Sequence, residues 1–185
     1  MKSDIERWLK VDGEIYLKDI GIKKGQSILD FGCGDGHYTI PAAKVVGEKG
    51  LVYAQDKEKE ALDQVIKKAN AEELENIKVI KTKGELKIDL NDKSLDAVLL
   101  YDVLHYHDMK ERRKIYGEVY RILKNGALLS VFPRHHKEYM HLKLEEVKKE
   151  IEKGNFSFEA KFFKRLIHDD YVKDYVFNFR KSYTV

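Results

Sequence analysis

Short apolar runs alternate with longer amphipathic stretches along most of the chain, and this alternation predicts strands separated by helices. The predicted strands occupy residues 27–31, 51–55, 77–81, 95–101 and 127–132. The predicted helices occupy residues 3–20, 38–46, 58–75, 109–124 and 136–153, and Asn125-Gly126 ends the fourth of them. Buried strands that alternate with helices are typical of a parallel sheet covered by helices on both faces.

The C-terminal segment has a different pattern. Residues 156–170 and 171–182 are rich in aromatic and apolar side chains, and no helical stretch separates them. They predict an antiparallel hairpin with a turn at about residues 168–171. The expected fold is α/β, a three-layer α/β/α arrangement with a mostly parallel seven-stranded sheet ending in that hairpin. We expect one domain over residues 1–185, with a helical cover (1–21), a ligand-binding core (22–135) and a helix plus hairpin (136–185).

Composition and charge narrow the function without defining it. Charged residues make up 36% of the chain, but 35 basic and 32 acidic residues leave a net charge of only +3. The signs are mixed at helical spacing, which indicates solvated helix faces, and nucleic acid is therefore not an expected partner. One cysteine excludes an internal disulfide and a cysteine-based zinc site. No apolar run approaches the roughly 20 residues that span a bilayer, and we expect a cytoplasmic protein.

The most distinctive motif is ILDFGCGDG at residues 28–36, where Gly32, Gly34 and Gly36 alternate between a strand and a helix. Glycines permit positive φ angles and let a ligand approach the backbone, while the free N–H groups of the helix start face that ligand. A tight strand-to-helix turn is the alternative explanation of the glycines alone. Asp30, at the end of a buried strand, additionally requires a cationic or hydrogen-bonding partner.

A second carboxylate ends the next strand. Asp56 follows Gly36 by 20 residues (56 − 36 = 20), where an acidic side chain can accept both hydroxyls of a ribose. The alternative role of Asp56 is the N-cap of the following helix, and one carboxylate can serve in both. In a dinucleotide fingerprint, G-x-G-x-x-G, the third glycine would fall on His37 or Thr39. The spacing therefore disfavours a nicotinamide cofactor.

Three segments together resemble one protein family. Residues 28–36 resemble motif I of class I S-adenosylmethionine-dependent methyltransferases, and DAVLLYDVLHYHD (96–108) and RILKNGALLSV (121–131) resemble its fourth strand and helix-to-fifth-strand element. The spacing is most similar to the small-molecule branch that contains ubiquinone and menaquinone C-methyltransferases. The resemblance covers about residues 15–135, and the hairpin matches the family's strand order. It implies a Rossmann-like fold and an enzyme that transfers a methyl group from S-adenosylmethionine, leaving S-adenosylhomocysteine, to a small-molecule acceptor.

The resemblance also implies roles for individual residues. The residues expected to line the cofactor are Asp30, Gly32, Cys33, Gly34, Asp35, Gly36, Asp56, Lys57, Glu85, Tyr101 and Asp102. Asp56 would hold the ribose hydroxyls with Lys57 near the adenine edge, whereas Tyr101 and Asp102 would border the reactive methyl. The family often has an acidic residue after the third strand that meets the adenine amine. Here Gly84 is at about that place, and Glu85 follows it.

Acceptor contacts are expected at the tips of the fourth and fifth strands. His105 is the first candidate for a general base near the methyl, with Tyr101 as the second catalytic candidate; a histidine bonded to backbone is the alternative. Further candidates are Tyr106 and His107, and also Arg134, His135 and His136, for which solvated loop positions are the alternative. His105 and His107 do not have the spacing of a helical metal-binding pair, and we predict no metal site.

Several features limit the acceptor. The fourth strand lacks the Asn/Asp-Pro-Pro-Tyr motif of amino-group nucleic-acid methyltransferases, and no Pro-Cys pair or set of cysteines points to cytosine or arsenite. Trp8, Leu9 and Tyr16 form either a short lid or an apolar stripe that packs on the sheet. Such a thin cover leaves a shallow site that could accept a large or macromolecular substrate, or that a homodimer or a partner protein could close. The alternative function is a non-catalytic cofactor-binding scaffold or regulatory subunit.

Overall fold

A seven-stranded sheet in the order β3-β2-β1-β4-β5-β7-β6 organises the computed structural model, which describes residues 3–133 and 142–183. The strands are β1 Ser27–Phe31, β2 Leu51–Asp56, β3 Ile77–Lys81, β4 Leu95–Tyr101, β5 Leu123–Phe132, β6 Phe156–Ile167 and β7 Tyr171–Lys181. Strands β1 to β5 pair in parallel, whereas β7 runs antiparallel to both β5 and β6. The expected parallel sheet with a terminal hairpin is confirmed.

Helices cover both faces of this sheet. They are α1 Asp4–Arg7, α2 Gly13–Asp19, α3 Thr39–Val46, α4 Lys59–Ala71, α5 Met109–Ile122 and α6 Leu144–Glu152. Alternate residues of the central strands face opposite cores: Leu29 joins the cluster that packs on α5 and α6, and Ile28 joins the cluster that packs on α1 to α3. The three-layer arrangement therefore follows from strands that are apolar on both faces. No helix in the described ranges is long and apolar enough to cross a membrane.

The junction between α5 and β5 differs from the expectation. We expected a helix to residue 124 and a strand from residue 127, but the helix ends at Ile122 and the strand begins at Leu123. Leu123 pairs with Leu95 before the register shifts, so Asn125-Gly126 lies in an irregularity within the strand. Gly126 has a φ of +71°, which suits a bulge as well as a helix end. Asn125-Gly126 does mark an irregular backbone, but the neighbouring residues do not show whether it ends a helix or interrupts a strand.

The N-terminal segment packs beneath the sheet tips. A π-helical stretch, Trp8–Asp12, joins α1 to α2, and the Trp8 and Tyr16 side chains are buried in the core. The Trp8 indole Nε1 donates a hydrogen bond to the carbonyl of His37 at 2.8 Å. The Tyr16 hydroxyl donates to that of Tyr101, also at 2.8 Å. Trp8 and Tyr16 therefore belong to a packed stripe, as in the second of the two interpretations, and not to a lid.

Candidate active site

A cavity of about 680 Å³ lies at the carboxyl ends of β1, β2 and β4, beneath the turn between β6 and β7. The strand order reverses between β1 and β4, and a crevice at such a switch point is where open α/β sheets bind ligands. The cavity volume falls within the range of about 300–1,000 Å³ that is usual for small-molecule sites. Its walls include residues 31–35, 37, 38, 55–58, 82, 84–86, 101–103, 106, 107, 132 and 167–169.

The first two glycines of the loop serve different purposes. Gly34 has a φ of +48°, and no atom lies within 4 Å of where its Cβ would be, so the backbone is exposed to the open cavity. Gly32 has a φ of +71°, and a Cβ there would lie 2.3 Å from Cγ1 of Val103. Gly32 therefore allows close packing against the segment after β4, whereas Gly34 leaves room for a ligand.

Asp56 connects the glycine loop to α4. Its Oδ2 accepts a hydrogen bond from the backbone N–H of Gly34 at 2.9 Å, and its Oδ1 accepts one from the N–H of Glu58 at 3.0 Å. The carboxylate thus supports the start of α4 and also borders the cavity, where its remaining lone pairs can accept further bonds. The cavity wall also includes Lys57 and Glu85, two further candidates for contacts with the cofactor. The Glu85 carboxylate accepts the N–H of Lys83.

Asp30 and Gly36 lie behind the loop and are not part of the cavity wall. The Asp30 side chain is buried, and its Oδ2 accepts a hydrogen bond from the Thr39 hydroxyl at 2.6 Å. Burial, opposed by that hydrogen bond, raises the pKa of Asp30 to about 6. At Gly36, a Cβ would lie 2.9 Å from Cγ2 of Val65 in α4. Both residues were predicted to contact the cofactor. In the structure they face the packed side of the loop and support its conformation.

Tyr101 contributes its ring to the cavity wall and its hydroxyl to the core. The hydroxyl accepts the bond from Tyr16 and shares another, 2.7 Å long, with Oγ of Ser130. Burial raises the pKa of Tyr101 above its usual value. The adjacent ring of Tyr38 meets it edge-on at 4.7 Å, and the Tyr38 hydroxyl donates to the carbonyl of Ile167 at 3.0 Å. The geometry therefore assigns the Tyr101 hydroxyl a packing role, contrary to its expected catalytic one.

The imidazole of His105 does not reach the cavity either. Its side chain is 1% exposed, its Nδ1 lies 3.5 Å from Oδ1 of Asp102, and its ring contacts that of Tyr106 at a tilt of 48°. His105 is therefore not positioned as the general base that its spacing suggested, because the short 3₁₀ turn Leu104–Tyr106 after β4 directs it inward. His107 does line the cavity, with Nδ1 3.4 Å from the Glu111 carboxylate.

Some expectations concern other parts of the chain. Arg134, His135 and His136, named as candidate acceptor contacts, lie outside the described residues. Within residues 3–133 and 142–183, no cluster of three or more His, Cys, Asp or Glu side chains is arranged to hold a metal ion.

Several residues of the cavity wall were missed, among them Tyr38, Phe132, Ile167 and the polar His168. His168 follows β6 directly, and its Nε2 lies 2.7 Å from Oδ2 of Asp102, just past β4. This hydrogen bond raises the pKa of His168 above its ordinary value. Asp102 has a φ of +55°, an uncommon conformation that turns its carboxylate toward the hairpin. The sequence marked residue 168 only as the start of a turn, since nothing local indicates that the turn covers the cavity.

Comparison with known proteins agrees with this geometry. A family model described as a methyltransferase domain matches residues 22–179. A solved S-adenosylmethionine-dependent methyltransferase from Aquifex aeolicus is 28% identical, with a TM-score of 0.76 over 94% of this chain and 90% of that protein. The chain therefore belongs to the methyltransferase-domain family, and its fold is that of an S-adenosylmethionine-dependent methyltransferase.

Curated relatives match over shorter stretches. A probable cobalt-precorrin-6B C(15)-methyltransferase from Saccharolobus solfataricus is 36% identical over 89 residues, 46% of this chain and 44% of the relative. A demethylmenaquinone methyltransferase from Lactobacillus johnsonii is 30% identical over 116 residues, 63% of this chain and 47% of the relative. The match thus spans less than half the length of these two relatives.

Proposed function

We propose that this protein transfers a methyl group from S-adenosylmethionine to a small-molecule acceptor. The observation that carries the proposal is the opening at Gly34, where a missing Cβ leaves free space beside the Asp56 carboxylate. A ligand with a ribose fits this pairing, because two carboxylate oxygens match two vicinal hydroxyls. When bound there, S-adenosylmethionine supplies an electrophilic methyl group attached to a sulfonium.

The residues around the cavity suggest how the cofactor lies. Asp56 and Lys57 extend from β2, and Glu85 extends from the loop after β3, so this side suits the ribose and adenine. Gly32, Cys33, Gly34 and Asp35 follow β1 and would face the middle of the cofactor. The Asp102 carboxylate, beyond β4, lies where a cationic centre would be stabilised. Asp30 and Gly36 would act indirectly by holding the loop in shape.

The acceptor is proposed to be small because the remaining wall is compact and largely apolar. It is formed by the rings of Tyr38, Tyr101 and Phe132 and by Ile167, under the turn that carries His168. Two curated relatives are named as methyltransferases of a precorrin and of demethylmenaquinone, which supports an organic acceptor. Nucleic acid remains an unfavoured partner, given the mixed surface charge.

Three further points belong to the same proposal. Residues 1–185 form one domain that acts in the cytoplasm. The free, buried thiol of Cys33 fits a reducing compartment, where disulfides are rare. A second copy of the chain or another protein completes the cover of the cavity. The exposed Tyr106 ring on the cavity wall supports such a contact.

The first experiment is isothermal titration of the folded protein with S-adenosylhomocysteine, with NAD as a parallel control. We expect binding of S-adenosylhomocysteine in the micromolar range or tighter and none of NAD, because the loop lacks the third glycine of the dinucleotide fingerprint. A folded protein that binds neither compound would favour the scaffold alternative. Binding of NAD alone would contradict the proposal.

A further inference from the structure

We propose that His168, held by Asp102, is the base that removes a proton from the acceptor, and that the acceptor is a flat, unsaturated molecule with an acidic O–H, N–H or enolisable C–H. This inference rests on the proposed methyl transfer. It replaces His105, the base expected from the sequence, and it adds a class of acceptor.

The contacts of His168 define which nitrogen can act. Nε2 lies 2.7 Å from Oδ2 of Asp102, whereas Nδ1 accepts the backbone N–H of Asp169 at 2.9 Å and lies 3.3 Å from the Asp169 carboxylate. A nitrogen that accepts an N–H carries a lone pair, so in the neutral ring the proton is on Nε2 and points at Asp102. A carboxylate that holds a histidine in this tautomer also stabilises the charge that forms when Nδ1 takes a proton.

The position of Asp102 supports the assignment. Its carboxylate follows β4 directly and borders the cavity, and the φ of +55° at this residue is uncommon outside glycine. The Asp102 carboxylate therefore lies between the end of β4 and the turn that carries His168. Asp102 is thus a positioning residue, which acts through His168.

The walls beside His168 indicate the shape of the acceptor. The hydroxyls of Tyr38 and Tyr101 are both bonded within the core, so these residues offer ring surface to the cavity and not a polar group. Phe132 and Ile167 continue that apolar surface. Rings that pack edge-on or offset against a ligand favour a flat, unsaturated one.

The transfer balances with His168 as the proton acceptor. The acceptor atom forms its bond to the methyl carbon, the carbon–sulfur bond breaks with its electrons left on sulfur, and the acceptor's proton passes to Nδ1 of His168. The bond between Nδ1 and the Asp169 N–H must yield to the acceptor in this step. An acceptor without a transferable proton would gain nothing from the pair.

Several charged groups set the titration of His168. Asp102 faces it from β4, Asp169 follows it in the same turn, and His37 faces it from the glycine loop. The hydrogen bond to Asp102 raises the pKa of His168, whereas burial lowers that of His37. Since a base must be neutral to act, turnover should rise with pH through the raised pKa of His168 and level off above it.

The first test needs no acceptor. Nitrogen-15 NMR of the histidine rings, assigned with His168→Gln, should show the Nε2–H tautomer and a pKa above 6.5 for His168, falling in Asp102→Asn. A proton on Nδ1 in the neutral ring, or a pKa unchanged in Asp102→Asn, would overturn the proposal.

The second test measures turnover with S-adenosylmethionine and three flat probes. We expect 2-naphthol or 1,3-indandione to be methylated and N,N-dimethylaniline, which has no acidic proton, to be inert. His168→Gln should lower turnover about 10²- to 10⁴-fold while its affinity for S-adenosylhomocysteine stays within about twofold. Asp170→Asn, in the same turn, is the control and should keep both.

The outcomes separate this inference from the proposed function. Normal turnover in His168→Gln, with the wild-type pH profile, would remove the base but leave methyl transfer intact. Turnover of N,N-dimethylaniline alone, or of none of the three probes, would refute the acceptor class. Failure of the wild type to bind S-adenosylhomocysteine would instead refute the proposed function.

Discussion

The two halves of the cavity are built in different ways. The half assigned to the cofactor comes mainly from the segment β1–loop–α3–β2, with Glu85 after β3 beside it, and its central feature is the Asp56 carboxylate bonded to the glycine loop. The half assigned to the acceptor comes from the ends of β4, β5 and β6, which are far apart in the chain, and from Tyr38 at the start of α3. The first half is polar and can be recognised as a motif. The second is mostly ring surface with one carboxylate–imidazole pair, and it exists only when the sheet is assembled.

The two aspartates of the cofactor half show the same contrast on a smaller scale. Asp56 borders the cavity, whereas Asp30 is buried under the loop with its pKa raised to about 6. Both were expected to contact the cofactor. Side-chain direction, which depends on the exact path of the strand end, separates a binding role from a supporting one.

The largest effect on cofactor affinity is expected at Gly34. In Gly34→Val, two methyl groups would occupy the open space beside Asp56, at a φ that a β-branched residue rarely adopts. We expect at least about a 100-fold loss of affinity for S-adenosylhomocysteine, which is about 3 kcal/mol, by isothermal titration. Gly25→Val is the matched control, since Gly25 also has a positive φ and open space but lies before β1, away from the cavity. Equal affinity in both variants would show that the cofactor does not approach Gly34.

The buried carboxylate should appear in the pH dependence of stability. Because the pKa of Asp30 is about 6 when folded and about 3.9 when unfolded, the folded state is destabilised as pH rises through this interval. Asp30→Asn cannot ionise, so its stability relative to wild type should improve by about 2–3 kcal/mol between pH 4 and pH 8. Urea unfolding of the ligand-free protein measures this. A constant difference across that range would contradict the raised pKa.

At Asp56 we expect an intermediate effect. Asp56→Ala removes a charged acceptor from the cavity and also releases the N–H groups of Gly34 and Glu58. The affinity for S-adenosylhomocysteine should fall by about 1–3 kcal/mol. Asp63→Ala is the control and should bind normally, because Asp63 lies on the exposed face of α4, where it pairs with Lys59. An unchanged dissociation constant in Asp56→Ala would remove the ribose role.

The smallest effect is expected on the acceptor side. Tyr101→Phe keeps the ring on the cavity wall but removes the partner of the buried Tyr16 and Ser130 hydroxyls. We expect the loss to fall on stability, at about 1–2 kcal/mol in urea unfolding, with little change in the affinity for S-adenosylhomocysteine. A large loss of turnover at unchanged stability would show that the Tyr101 hydroxyl takes part in the reaction. The acceptor half would then use a polar group that we assign to packing.

Most of the architecture could be predicted because its signals are local and periodic. Strands 27–31, 77–81 and 95–101 agree with the structure at both ends, and the hairpin has its turn where the aromatic runs meet. The predicted helix before β5 was too long, because Asn125-Gly126 occurs both in β-bulges and at helix ends. Local patterns identify an element more reliably than they locate its last residue.

The sequence by itself determined the fold class, the glycine loop and the placement of Asp56, because each depends on residues close together in the chain and on backbone chemistry that glycine and aspartate express directly. Only the tertiary structure decided that His105 faces inward and that His168 meets Asp102. The direction of His105 follows from the 3₁₀ turn after β4. The contact of His168 with Asp102 depends on the positive φ of Asp102 and on the pairing of β7 with β5. That pairing places the turn after β6 over the cavity, and it cannot be predicted from the residue spacing within β5 or β7 alone.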